Sequence, residues 1–337
     1  MAFELSDLTG LGKPVLKLIE VVSEGIGTVY RPRQIREDAK ARADGQQIAA
    51  IKKAENDLKV REMQFDAALQ HVDKVLAGRP ALAELARRRV LAREIEGFLN
   101  LETIADLAAD QLPPQVLERA VDADWRRKFF LEAENVCDAD MQLLWAKVLA
   151  GEVATPGRYS IRTLDTLRQL SRSEAETFKR ACALAMKDGW IALPSNDLNV
   201  ALEPFGLPFD SILALRDAGL LLPSDTLVKV FKAAVPLSSI AGAALPQNST
   251  PPTRILFALE NNGVHIQMTS PLERVQVPAL IFTKAGAELQ RLMDNAENPQ
   301  YLTSIGQAFR RQKLTARRGT ATQMTENLTM ITYEQDL

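Results

Sequence analysis

Apolar residues in the middle of the chain recur at helical spacing. Met141, Leu144, Trp145, Val148 and Leu149 fall at i, i+3, i+4, i+7 and i+8, which puts one thick apolar stripe on a single helix. Asp138 is placed to cap the start of that helix, and Gly151 to end it in a left-handed turn. A Thr155-Pro156-Gly157 turn follows, then Ser160 as the cap of a second helix carrying Ile161, Leu164 and Leu167. Two short amphipathic helices joined by a tight turn must bury their stripes against each other and a third element. This stretch is therefore expected at the centre of a helical core.

Toward the N-terminus, residues 13–30 place Val15, Leu18, Ile19, Val22, Ile26 and Val29 on one helical face, with Gly25 and Gly27 weakening the second half. Two readings compete. One is a helix docked on the protein's own core or on a sister subunit. The other is an in-plane membrane helix followed by Arg31, Arg33 and Arg36, against which the acidic Glu20 and Glu24 weigh. Residues 36–77 read as one long helix. Ile48, Ile51, Leu58, Phe65, Leu69, Val72 and Leu76 occupy seam positions along it, interrupted by Glu55 and Glu62. Such a helix spans about 60 Å at 1.5 Å per residue, too long for a small domain to support, so a coiled-coil-like partner is expected. Gly78-Arg79-Pro80 closes it. A second long helix over 81–111 takes its apolar side from Leu91, Ile95, Phe98, Leu99, Ile104 and Leu107, and the two are expected to form an antiparallel hairpin.

Beyond the Pro113-Pro114 break, Asp122, Asp124, Glu132, Glu134, Asp138 and Asp140 could be read as a metal-dependent nuclease site. Their scatter over helix starts favours capping instead. Ser173 and Glu176 are read as the capping box of a third short helix, with Ala175, Phe178, Cys182 and Met186 inward. From about residue 190 prolines and asparagines break up the apolar runs, and the last third reads as α+β. A helix near 209–218 is stopped by Gly219, a strand covers 227–235, and a long loop covers 236–253. A hairpin over 255–269 turns at Asn262-Gly263, and a strand over 275–283 carries Pro278, which suits an edge. A final helix carries Ala285, Leu289 and Leu292. That succession resembles a winged-helix domain. The expected architecture is mainly α. An N-terminal helix occupies 1–35, a long hairpin 36–112, a central helical domain 113–190, a winged-helix-like α+β module 191–306, and a basic, Thr-rich tail without periodicity 307–337.

Composition narrows the function classes. A hydrophobic content of 46% and a charged content of 25% are ordinary for a soluble globular protein, and a net charge of −2 gives no global pull toward nucleic acid. Two local clusters are candidate phosphate contacts, Arg87, Arg88 and Arg89 on the second long helix and Arg310 and Arg311 near the tail. The first has no aromatic interleaving that would stack bases, and the second could contact phosphates by counterion release. Cys137 and Cys182 sit on expected helices among apolar neighbours and are expected as reduced, buried thiols in a cytoplasm-like compartment. The only histidines, His71 and His265, have no Cys or second His nearby in sequence, and no phosphate-binding loop, G-x-S-x-G or H-E-x-x-H motif occurs. No catalytic residue, cofactor or metal ligand is identified. No secretory signal and no run long enough to span a membrane is visible, so a cytoplasmic location is expected.

Three stretches carry a family resemblance: GLGKPVLKLIEVVSEGIGTVYRPRQIREDAKARA (10–43), DADWRRKFFLEAENVCDADMQLLWAKVLAGEVATPGRYSIRTLDTL (122–167) and FTKAGAELQRL (282–292). Together they resemble the bacterial family called domain of unknown function 2806, and LWAKVLAGE followed by PGRYSIRTL is the most specific part. The N-terminal piece has a weaker likeness to Abi-alpha proteins linked to abortive infection. The chain departs from the family's RRQ-N-I-E-like run with RRRVLAREIEGFLNLETI (87–104), which leaves the role of that helix open. The resemblance brings no catalytic residues and implies the company of prophages and phage-defence regions. The resulting expectation is a non-enzymatic, oligomerising interaction protein, with a second copy or a helical protein as partner. A DNA-binding regulator and a peripheral membrane effector acting through residues 13–30 are the alternatives.

Overall fold

Side-chain caps fix where most of the helices begin, and the apolar positions between them decide what each helix covers. The computed structural model describes residues 13–26, 67, 70, 71, 74–232, 254–270, 272, 274–293, 295–325 and 328–337. The seam residues Ile48, Ile51, Leu58, Phe65, Leu69 and Val72 lie outside the described residues, as does the loop expected over 236–253. Leu76 is described and half-buried, and its carbonyl accepts from Arg79 N at 2.8 Å in the turn before the next helix. The architecture is mainly helical with two small antiparallel sheets, and the chain divides into two compact units, Met1–Arg168 and Gln169–Leu337.

The first unit contains α1 (Lys13–Ile26), α2 (Pro80–Asp110), α3 (Ala123–Ala133), α4 (Ala139–Ala154) and α5 (Ile161–Gln169). α1 buries Leu18, Val21, Val22 and Ile26 against α3 and α4, while Val15 and Ile19 of the expected face are half-buried and Val29 lies outside the described residues. Asp122 caps α3 by accepting from Trp125 N, and Asp138 caps α4 by accepting from Asp140 N and Met141 N. Two of the scattered acids therefore act as helix caps. α4 is the centre of the unit. Met141, Leu144, Trp145, Val148 and Leu149 are all buried, and so are Ala146, Ala150 and Val153, because α1, α2 and α3 pack round the helix instead of against one side. The ring of Trp145 lies 5.2 Å from that of Phe129, which stacks on Trp125 at 5.1 Å.

Gly151 does not end α4. The helix continues to Ala154 with Thr155 at its C-cap. Gly151 makes room: a Cβ there would come within 2.8 Å of the buried Tyr159 ring. The next residue, Glu152, is 1% exposed, and its carboxylate accepts from Gly157 N at 2.5 Å and from Tyr159 N at 2.9 Å. The LAGE…PGRY stretch is thus a helix end and a tight turn locked together by one carboxylate and one glycine. Glu152→Ala leaves two amides of the turn without that acceptor and is expected to cost about 3 kcal/mol, read as a lower urea midpoint with unchanged slope. Glu152→Gln keeps one carbonyl acceptor and should lose less. Equal losses for the two variants would remove the carboxylate from this account.

The second unit contains α6 (Arg172–Leu184), β1 (Trp190–Ala192), a 3-10 turn at Glu203–Phe205, α7 (Phe209–Asp217), β2 (Val228–Lys232), β3 (Arg254–Asn261), β4 (Val264–Ser270), β5 (Arg274–Ile281), α8 (Lys284–Gln290), α9 (Pro299–Arg311), β6 (Thr315–Thr325) and β7 (Leu328–Asp336). One sheet has the order β1-β5-β2 and the other β3-β4-β6-β7. The capping box of α6 is Ser171 with Glu174, two residues before the expected pair. Ser-x-x-Glu occurs twice here in overlapping register. The earlier start lets Glu176 pair instead with Arg172, one turn back, at 3.5 Å. Asn262 and Gly263 both take positive φ in the β3–β4 turn, and Asn262 Nδ2 donates to Ala183 O at 2.6 Å, pinning that turn to the end of α6.

Two further expectations fail in this unit. β5 is the central strand of its sheet, not an edge. Pro278 is tolerated because its carbonyl accepts from Leu193 N at 2.9 Å just past the end of β1, where the proline's missing donor has no strand partner to satisfy. The structureless tail is also absent. Residues 307–311 finish α9, and most of the remainder forms the β6–β7 pair, with β6 joined to β4 through His265↔Gly319 to Thr269↔Thr315. β-Branched threonine favours strands, and polar residues at both phases of the alternation concealed the period of two.

Candidate interaction surface

α2 is 31 residues long; apart from Ala83 in its first turn, its buried residues all lie in the last third. Leu101, Ile104, Ala105 and Ala108 are buried, mainly against α4. Asn100 marks where this packing starts: its Nδ2 donates to Glu134 O at 2.9 Å, and its Oδ1 accepts from Gln142 Nε2 at 3.1 Å. Before that point the helix presents apolar side chains to solvent. Leu82, Leu85, Leu91, Ile95, Phe98 and Leu99 are between 44% and 64% exposed. Leu91, Ile95, Phe98 and Leu99 were expected on the same apolar side as Ile104. At 3.6 residues per turn the Leu91–Ile95–Phe98 row instead lies about 100° round the helix from the buried row. That angular split is legible in the sequence, but which of the two rows finds cover is not.

Charged residues frame the exposed row. Glu84 and Arg88 precede it on the same side, with Arg88 Nε 2.8 Å from Glu84 Oε1 and Arg87 3.9 Å from the same carboxylate. Glu102 follows it, half-buried, and Arg89 projects elsewhere and is exposed. Arg87 and Arg88 thus share a carboxylate within their own helix. The basic residues after 309 do not form one patch. Arg310 bonds the Leu337 carbonyl and Arg311 is exposed in the last turn of α9, whereas in β6 Arg317 pairs with Asp336 at 3.2 Å and Arg318 with Glu297 at 2.8 Å.

The remaining candidate groups are dispersed. Cys182 is buried, as expected, which pushes its thiol well up and keeps it protonated; Cys137, expected to be buried on a helix, is instead exposed in the loop just before the Asp138 cap. His71 is exposed, and His265 lies half-buried in β4. Burial likewise pushes the Tyr301 phenol up while its hydroxyl donates to Ala192 O at 2.9 Å, a contact that ties α9 to the end of β1. Among the described residues no group of three or more His, Cys, Asp and Glu is placed to hold a metal ion, and no helix is long and apolar enough to cross a membrane. Sequence reasoning missed Glu152. The available signal was an acid in the apolar last turns of α4, four residues before Pro156-Gly157.

A family model described as Protein of unknown function (DUF2806) matches residues 84–306, about two thirds of the chain. The match starts at Glu84 and so includes the exposed row of α2. No curated protein matches, and no solved structure matches.

Proposed function

The chain belongs to the DUF2806 family, and from that premise we propose that it is a non-enzymatic interaction protein that oligomerises. The observation that carries this reading is the half-exposed row Leu91, Ile95, Phe98 and Leu99, on a helix whose far end is anchored in a packed core. Full burial of a leucine, isoleucine or phenylalanine is worth about 1.5–3 kcal/mol, so covering four half-exposed side chains supplies a driving force on the order of 4 kcal/mol before association costs. Charged residues on both flanks make the face a bounded contact and keep it from being a general sticky surface. The N-terminal likeness to Abi-alpha proteins supports a place among prophage or phage-defence components.

The same reading takes the α2 segment, with the seam that precedes it, as coiled-coil-like. It takes the second unit as a winged-helix-like docking module. Its succession α6, β1, 3-10 turn, α7, β2, β5 and the sheet order β1-β5-β2 support that likeness, with β3 and β4 inserted between the last two strands. The corresponding recognition helix, α7, carries Asp210, Asp217 and a single Arg216, whose guanidinium is 2.6 Å from Asp225 and also bonds Ser224 O. That charge arrangement favours a protein partner over a DNA groove. The expected result is an oligomer in light scattering at about 50 µM, within reach of a small interface, and its conversion to monomer by Ile95→Glu. A wild-type chain that is monomeric throughout would refute the reading, and salt-dependent retardation of duplex DNA would replace it with the regulator.

A further inference from the structure

We infer that the outward face of the β2–β5 ladder docks an extended segment of a partner protein with the pattern apolar-x-apolar-x-acid. This inference rests on the reading of the second unit as a docking module, and names the place and the chemistry of the segment. Successive side chains of a strand alternate between faces, and directly opposite residues share one. Phe231, Val275 and Val277 are buried on the inner face. Val228, Val230 and Lys232 therefore face outward, with Gln276 opposite Val230 and Arg274 opposite Lys232. Val228 and Val230 are each 40% exposed, and Lys232, Arg274 and Gln276 are exposed as well. β2 is an edge strand, so no further strand of its sheet lies beyond it.

Charge selects the partner. Two cations directly opposite each other destabilise a strand pair, and among the described residues no carboxylate pairs with Lys232 or Arg274. Exposed Lys313 adds to this end of the unit: Ser270 Oγ donates to its carbonyl at 3.4 Å, four residues before Arg274. No Asp or Glu occurs from Leu227 to Leu259, and Glu273 is the sole acid between His265 and Ala287. The other acids of the module are engaged or distant. Asp188 pairs with Lys229, whose position belongs to the inner face, at 2.8 Å. Asp217 and Asp225 lie toward the far end of β5, where Leu221 bridges Phe282 and Ala279 N donates to Leu227 O. The valines then decide between a peptide and a phosphate chain. A nucleic-acid backbone has nothing apolar to lay on them, whereas an extended peptide places two apolar side chains and an acid on one face at the same spacing as Val228, Val230 and Lys232.

The probe is a fluorescein-labelled peptide Val-Ser-Val-Ser-Glu-Ser-Glu, titrated with the full-length protein and read by fluorescence anisotropy. At about 50 mM salt it should bind with a Kd of about 100 µM or tighter, and more weakly as salt rises. The same peptide with both valines replaced by serine should bind at least about threefold more weakly. Lys232→Glu and Arg274→Glu should each weaken binding by about fivefold or more. Each also turns the like-charged cross-strand pair into an opposite-charged one, so the urea midpoint should hold or rise while binding falls, which unfolding cannot produce. Lys179→Glu, at an exposed position of α6, should leave both unchanged. A peptide that fails to bind, or that binds the two variants like wild type, overturns the inference. So does a duplex oligonucleotide held more tightly through Lys232 and Arg274, which would assign the face to phosphate. None of these variants touches α2, so light scattering on the same samples judges the oligomerising reading separately.

Discussion

Trp145→Ala is expected to destabilise the first unit by about 4 kcal/mol, among the largest effects available from a single side chain. Trp145 is fully buried in α4, and its ring rests against Phe129 inside the Trp125–Phe129–Phe130 aromatic group. Truncation removes the transfer free energy of the indole and leaves a cavity that α1, α2 and α3 can close only by moving, because each is held by its own buried row. The measurement is a shift of the urea midpoint, with amide hydrogen exchange locating the lost protection in peptides covering α3 to α5. A loss below about 1.5 kcal/mol would show that the site collapses easily and that α4 is not the centre of the unit.

Gly286→Ala is the corresponding test in the second unit. A Cβ at Gly286 would stand 2.1 Å from the Leu220 carbonyl oxygen and 3.0 Å from its carbon, and both obstacles are backbone. Neither can turn aside as a side chain would. α8 must back away from the 219–221 turn, which loosens Thr283 N→Leu220 O (3.0 Å), Thr283 Oγ1→Gly219 O (2.6 Å) and the N-cap bond Gly286 N→Thr283 Oγ1 (3.0 Å). The expected loss is about 3 kcal/mol or more, at or above the upper end of the overpacking range. Arg291→Ala, at the exposed C-cap of the same helix, should stay within about 0.5 kcal/mol. Similar stabilities for the two variants would mean that α8 has slack the contacts do not show.

Local signals were readable wherever a single residue type answers a single backbone need. Asp122 and Asp138 satisfy the open amides of helix starts, and Asn262-Gly263 supplies the two positive φ angles of a tight hairpin. Reading failed where two local solutions had nearly equal merit. Ser171 and Ser173 each begin a Ser-x-x-Glu box, and the choice fell to the register that also gives Arg172 its partner. Gly151 looked like a helix stop because a glycine before a Pro-Gly turn usually is one; the need of the Tyr159 ring for space comes from a contact eight residues away. The exposed row of α2 belongs with these cases. An apolar stripe is the same string of letters whether it faces a core or a partner, and only the position of α4 reveals that Leu101, Ile104 and Ala108 took the core.

The sequence by itself determined the helical character of the first unit, the burial of Met141, Leu144, Trp145, Val148 and Leu149, the Asp122 and Asp138 caps and the β3–β4 turn. These depend on periodicity and on bonds spanning a few residues, which neighbouring letters encode directly. Tertiary structure alone decided that β5 is central despite Pro278, that the threonine-rich end forms strands, that Glu152 is a turn clamp, and that Leu91, Ile95, Phe98 and Leu99 stay half-exposed while Leu101, Ile104 and Ala108 are buried. Each of these depends on what lies alongside, and distant segments become neighbours only through the packing of the whole chain.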